Sequence, residues 1–138
     1  MKLQVLDASV IVSWLLEDEN VGHAQQIESV LENASALVPM IWHIELRSAL
    51  LSAERRGRIT SNAFDDLLQN VSLIAVSTDH SVHLNAAVNL ARKHRLSIYD
   101  AIYLELALRT GSDLATHDKG LAKAAQVEKC LSEISPVD

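Results

Sequence analysis

The chain has 138 residues, 49% of them hydrophobic and 22% charged, which is the make-up of a folded domain and excludes a disordered segment. Twelve Lys and Arg stand against 18 Asp and Glu, and the net charge of −6 argues against indiscriminate nucleic-acid binding. The one cysteine, Cys130, excludes an intramolecular disulfide and fits a reducing cytoplasm, and no apolar stretch approaches the ~20 residues of a membrane span.

Leu3-Gln4-Val5-Leu6 reads as a short buried strand that ends on Asp7, and a helical pattern starts at once with Val10, Ile11, Trp14 and Leu15. Asp7, Glu17, Asp18 and Glu19 interrupt what a secretory signal would need, so none is expected. After the polar break at 17–20, residues 21–33 carry Ala24, Ile27, Val30 and Leu31 at helical spacing. Ala36-Leu37-Val38 predicts a second strand stopped by Pro39, and residues 40–56 a long helix ended by Gly57. Thr60 or Ser61 caps a helix reaching about Asn70, and the apolar run 71–76 is read as a third strand. Residues 81–94 form a helix with a basic end, 96–99 a link, and 100–110 a further helix with Gly111 just past it. Residues 113–116 predict a fourth strand, followed by Asp118-Lys119-Gly120 and a short helix over 121–125. Residues 127–131 are a candidate edge strand, and the rest a tail. Strands alternating with helices predict one α/β domain spanning 1–138, with helices on both faces of a mostly parallel sheet of four to five strands.

Four acids stand out against this pattern. Asp7 follows an apolar strand and opens a helix, where it is either an N-cap or part of a site at the strand's carboxyl end. Asp118 repeats that context. Glu45 falls among apolar neighbours, nearly opposite a solvent stripe of His43, Arg47 and Glu54, with Ser48 and Ser52 beside it. A lone carboxylate there is costly unless it is paired or holds a metal. In the helix 100–110 the evident solvent pair is Glu105 and Arg109, whereas Asp100 projects with Leu104 and Ala107, although a first-turn acid also suits the helix dipole. Singly each acid is ambiguous. Two at strand ends and two on helix faces that converge there make a cluster of hard oxygen ligands suited to Mg²⁺ or Mn²⁺, whose usual chemistry is phosphodiester hydrolysis. With those four acids set aside, the −6 falls to −2.

The segments Leu6-Asp7-Ala8-Ser9, His43-Ile44-Glu45-Leu46, Tyr99-Asp100-Ala101-Ile102-Tyr103 and 114–121 (Leu-Ala-Thr-His-Asp-Lys-Gly-Leu) together resemble the motifs of PIN-domain ribonucleases. The match is to the VapC type, toxins of bacterial and archaeal toxin–antitoxin pairs, and it covers essentially the whole chain. The resemblance implies a PIN-like three-layer sandwich with Asp7, Glu45, Asp100 and Asp118 as the metal-binding catalytic quartet. It also implies Ser9 and Thr116 as hydroxyl supports. It further implies an RNA substrate, Mg²⁺ with Mn²⁺ as substitute, a small antitoxin protein whose tail covers the site, a homodimer, and a place in the cytoplasm. One departure is Ser48, where the family often has Asn three residues after the acid; a shorter polar group there could still reach through water.

Other features are read against plainer alternatives. Arg55, Arg56 and Arg58 form one basic cluster and Arg92, Lys93, His94 and Arg95 another; both sit at helix C-termini, where cations are favourable in any case. Arg92, Lys93 and Arg95 are candidate RNA phosphate contacts, and His117, beside Asp118, is a candidate substrate contact or a packed histidine. Trp14 and Trp42 lie on apolar faces as core or interface, and no base-stacking platform is evident. Two other functions fit parts of the pattern: a PIN-like scaffold that only binds a partner, and a phosphoacceptor receiver domain. The receiver fits poorly, because the first strand ends in a single acid and only Asp79 offers a phosphoacceptor.

Overall fold

The computed structural model describes residues 2–16 and 21–135, so the polar break at 17–20 and the end of the tail lie outside the described residues. Along the chain run β1 (Gln4–Leu6), α1 (Ala8–Leu15), α2 (Val21–Glu32), β2 (Ala36–Pro39), α3 (Met40–Arg55), α4 (Ser61–Ser72), β3 (Ser77–Asp79), α5 (Leu84–His94), α6 (Ile98–Thr110), β4 (Asp113–Ala115) and α7 (Lys119–Val127). The four strands pair in the order β3-β2-β1-β4, all parallel. This is the expected α/β architecture at the lower of the two strand counts.

Strand order decides where a site can form. The chain steps from β1 to β2 to β3, and α5 and α6 then carry it back past β1 to β4. Right-handed crossovers running in opposite directions put their helices on opposite faces of the sheet. The order therefore reverses between β1 and β4, and a crevice opens at their carboxyl ends. Val5, Leu6, Val38 and Leu114 are fully buried in the strands, against Leu46 and Leu50 of α3 and Leu104 of α6. In α6, every residue from Ala101 to Ala107 is buried, which is why that helix lacks a clear polar face in its sequence.

Several expectations give way here, each for a local reason. The run 71–76 is no strand: Phe64, Leu67 and Val71 continue one helical stripe that packs on the core, so α4 extends to Ser72 and the strand comes later, at Ser77–Asp79. A short apolar run cannot be told from a helix end by periodicity alone. Residues 127–131 form no edge strand either. Helix α7 reaches Val127, Lys129 turns the chain with a φ of 62°, and Leu131 makes a single parallel bridge to Leu114 before Ser132 and Ser135 fold the chain back. Helix α6 begins two residues before Asp100, α5 begins at Leu84, and α7 takes in Lys119.

The solvent pair expected on α6 is also corrected. Glu105 is buried, and it accepts from Arg109 Nε at 2.8 Å while Arg109 grips both carboxylate oxygens of Asp79 at 3.2 and 2.9 Å. The i,i+4 spacing was right, but the pair faces inward and ties α6 to the edge strand β3. Helix α3 shows the converse. His43 bonds Thr78 of β3 at 2.9 Å and Arg47 donates to the His43 carbonyl, so both are half-buried, while Met40, Ile44 and Leu51 are exposed instead.

Candidate metal centre

Asp7 takes up the N-cap position of α1 yet makes no capping hydrogen bond. Its backbone N–H extends the ladder by donating to Ala115 O at 2.9 Å, which holds the end of β1 beside the end of β4. Its Oδ2 accepts instead from Ser9 Oγ at 2.8 Å and Thr116 Oγ1 at 2.6 Å. The same two hydroxyls accept in turn, Ser9 from the His117 amide at 3.0 Å and Thr116 from the Asp118 amide at 3.0 Å. Asp7 is thus built into the junction of the two strands. Burial raises its pKa above the usual carboxylate value, with the two hydroxyls working against that rise and the charge of Asp118 adding to it.

Asp118 does cap its helix, since Oδ1 accepts from the Leu121 amide at 2.8 Å, and it is exposed. Asp100 is not the cap of α6. Ser97 is, accepting from the Asp100 amide at 3.1 Å. Burial, then repulsion from Asp118, Asp7 and Glu45, pushes the Asp100 carboxyl up to about 6. That order of causes places all four acids in one electrostatic neighbourhood. Glu45, half-buried on α3, accepts from the Tyr103 hydroxyl of α6 at 2.6 Å, and burial outweighs this bond to raise its pKa, with Asp7 contributing.

The expected supports divide. Ser9 and Thr116 stand against Asp7, whereas Ser48 is exposed three residues past Glu45 and takes no part in the bonds among the acids. Of the expected RNA contacts, Arg92 and Arg95 are exposed at the end of α5, and Lys93 pairs with Glu128 at 2.7 Å. His117 is half-buried with Nδ1 3.1 Å from Ser13 Oγ, and its amide donates to Ser9 Oγ. Two residues escaped the sequence reading. Ser97 was legible as the first residue of a Ser-x-x-Asp capping box. Tyr103, fully buried and in contact with Glu45, had only its i+3 spacing from Asp100 as a signal.

The donor set consists of carboxylates and hydroxyls, with neither thiolate nor imidazole among the acids, and it suits a hard divalent cation. Among the described residues, no three His, Cys, Asp or Glu side chains are grouped so that they could hold a metal by themselves. Mg²⁺ does not require such a cage, because it keeps several waters and binds through one or two carboxylates plus substrate phosphate oxygens. The four acids fit that mode of binding.

A PIN domain model matches residues 5–127, and the chain belongs to the PIN-domain family. It is 32% identical over 128 residues to Ribonuclease VapC3 of Pyrobaculum aerophilum, covering 89% of this chain and 94% of the relative. It is 30% identical over 120 residues to Ribonuclease VapC3 of Mycobacterium tuberculosis, covering 87% and 85%. In fold it is similar to PAE2754 of Pyrobaculum aerophilum, with a TM-score of 0.69 at 22% identity over 89% of this chain and 84% of that one. The receiver-domain reading falls with these matches, and Asp79, locked by Arg109, is no phosphoacceptor.

Proposed function

We propose that this chain is a metal-dependent endoribonuclease of the VapC type, the toxin of a toxin–antitoxin pair. The carrying observation is Asp7, which makes no capping hydrogen bond and whose carboxylate, held by Ser9 and Thr116 where β1 and β4 end side by side, is within electrostatic reach of the three other acids. The relatives named ribonucleases support the same reading. Asp7, Glu45, Asp100 and Asp118 would hold Mg²⁺ or Mn²⁺. When bound, the ion supplies a water activated for attack on the phosphodiester and neutralises the charge that develops on the phosphate. The chain's own residues prepare that chemistry. Ser9 and Thr116 fix the Asp7 carboxylate, and Tyr103 fixes Glu45. Ser97 orients the first turn of α6 and with it Asp100.

The proposed partners are RNA, a small antitoxin and a second copy of the chain. Met40, Ile44 and Leu51 along α3 and Leu84 and Val88 on α5 are exposed apolar side chains that such protein partners would cover. Among the described residues no helix is long and apolar enough to cross a membrane.

The test is incubation of the purified, partner-free chain with total RNA and mapping of the cut ends. Cleavage is expected with Mg²⁺ or Mn²⁺, to be lost in EDTA and restored by either ion. Full activity after stringent chelation would overturn the metal mechanism. No cleavage under any of these conditions would favour a scaffold that only binds a partner.

A further inference from the structure

Tyr99 is 59% exposed although it immediately precedes Asp100 in the first turn of α6. The chain has two Trp, two Tyr and one Phe. Trp42 and Tyr103 are buried, and Trp14 and Phe64 pack half-buried against the core. Tyr99 is therefore the exposed ring among the described Trp, Tyr and Phe residues, and it immediately precedes Asp100.

Its direction follows from the helix. Tyr99 and Tyr103 are four residues apart and share one stripe of α6, with side chains leaning toward the helix N-terminus. Tyr103 leads into the site, since its hydroxyl meets Glu45 at 2.6 Å. Tyr99 lies one turn further out on that stripe, where α6 emerges from the core. Arg92 and Arg95 are exposed at the end of the preceding helix, Arg95 closing α5 in the left-handed conformation four residues before Tyr99. An exposed aromatic ring next in the chain to one of the four acids, with exposed cations ending the helix before it, offers what single-stranded nucleic acid needs: a surface for a base and charge for the backbone.

We propose that Tyr99 is the platform on which an unpaired RNA base next to the scissile phosphate stacks. The inference rests on the nuclease reading and names the residue that would hold a base of its substrate, a base that must be unpaired because bases within a duplex have no free face to offer. The ring does the work and the hydroxyl does not. Tyr99 is thus a substrate-binding residue that acts equally before and during the reaction, so its loss falls on KM and leaves kcat nearly unchanged.

Steady-state cleavage of a single-stranded oligonucleotide containing a mapped cut site tests this, with wild type, Tyr99→Phe and Tyr99→Ala. Each is also measured on oligonucleotides that are abasic at the positions flanking the cut. Tyr99→Ala is expected to raise KM roughly 5- to 150-fold on the intact substrate, and Tyr99→Phe to behave like wild type. An abasic nucleotide at the stacked position should bring the wild type to the level of Tyr99→Ala and leave the Ala variant no worse. Wild-type KM in Tyr99→Ala, or an equal loss on intact and abasic substrates, overturns the platform. A wild-type chain that cuts no RNA at all overturns the nuclease reading and the platform together. Cleavage that ignores Tyr99→Ala overturns the platform alone.

Discussion

Asp100→Asn is expected to lower RNA cleavage by roughly a thousandfold and, in EDTA, to raise the melting temperature. The first effect follows from the proposed function, in which Asp100 is one of four metal-binding carboxylates. The second follows from what holds the Asp100 pKa up to about 6: burial first, then the charges of Asp118, Asp7 and Glu45. A carboxyl whose folded pKa lies above its unfolded value favours folding when protonated. That contribution is complete below the unfolded value of 3.8 and is lost as pH rises through about 6. At pH 7 the metal-free wild type therefore carries a cost that Asn removes. Discounted for the side chain's partial exposure to solvent, the gain is on the order of 1 kcal/mol, or roughly 3–4 °C for a chain of this size. Asn keeps the volume, and the helix cap belongs to Ser97, so no cap is lost in exchange. Millimolar Mg²⁺ should stabilise the wild type by mass action and the variant less. Thermal unfolding of both proteins in EDTA and in Mg²⁺ decides the matter. A variant that melts lower in EDTA, with both proteins indifferent to Mg²⁺, would make Asp100 a purely structural residue.

Arg109→Ala is expected to cause the largest loss of stability among single changes outside the apolar core. Arg109 is the only link among the described residues that joins the buried Glu105 to Asp79 on the edge strand. Its loss leaves a buried carboxylate uncompensated, an effect of about 3 kcal/mol, or roughly 10 °C in melting temperature. The network also carries a pH signature. The Arg109 guanidinium holds the Asp79 carboxyl below its ordinary value of 3.8. A depressed pKa contributes stability above the unfolded value that is lost as pH falls through the folded one. Wild type should thus lose this increment below about pH 4, and Arg109→Ala should not show it. Unfolding by urea at pH 7 and pH 3 measures both effects. Equal stability of the two proteins at pH 7 would show that the network is dispensable.

The sheet and the positions of the acids were legible because both rest on local chemistry. An apolar run that ends on an acid and opens a helix predicts a strand end, and in Asp7 and Asp118 it located the two strands that meet at the switch point. The faces of α3 and α6 were not legible. Periodicity tells which residues share a face, but it cannot tell which neighbour that face meets. The edge strand β3 supplies Thr78 to His43 and Asp79 to Arg109, turning two apparent solvent stripes inward and leaving Ile44 outside. The position of β3 itself was missed because the apolar residues at 71–76 complete a helix and its exit, while the strand proper, Ser77-Thr78-Asp79, is polar. Tyr103 was hidden for a related reason: a tyrosine in a wholly buried helix looks like core until its hydroxyl finds Glu45.

Mn²⁺ binding by titration calorimetry, on wild type and on Asp7→Asn, Glu45→Gln, Asp100→Asn and Asp118→Asn, addresses the shared acidic centre most directly. If the four side chains share one metal site, one or two as direct ligands and the others through metal-bound water, each substitution should weaken binding by about tenfold or more. Cleavage rates should fall in the same variants. Wild-type Mn²⁺ affinity retained in two or more of the four, with each variant shown to be folded, would contradict a common site.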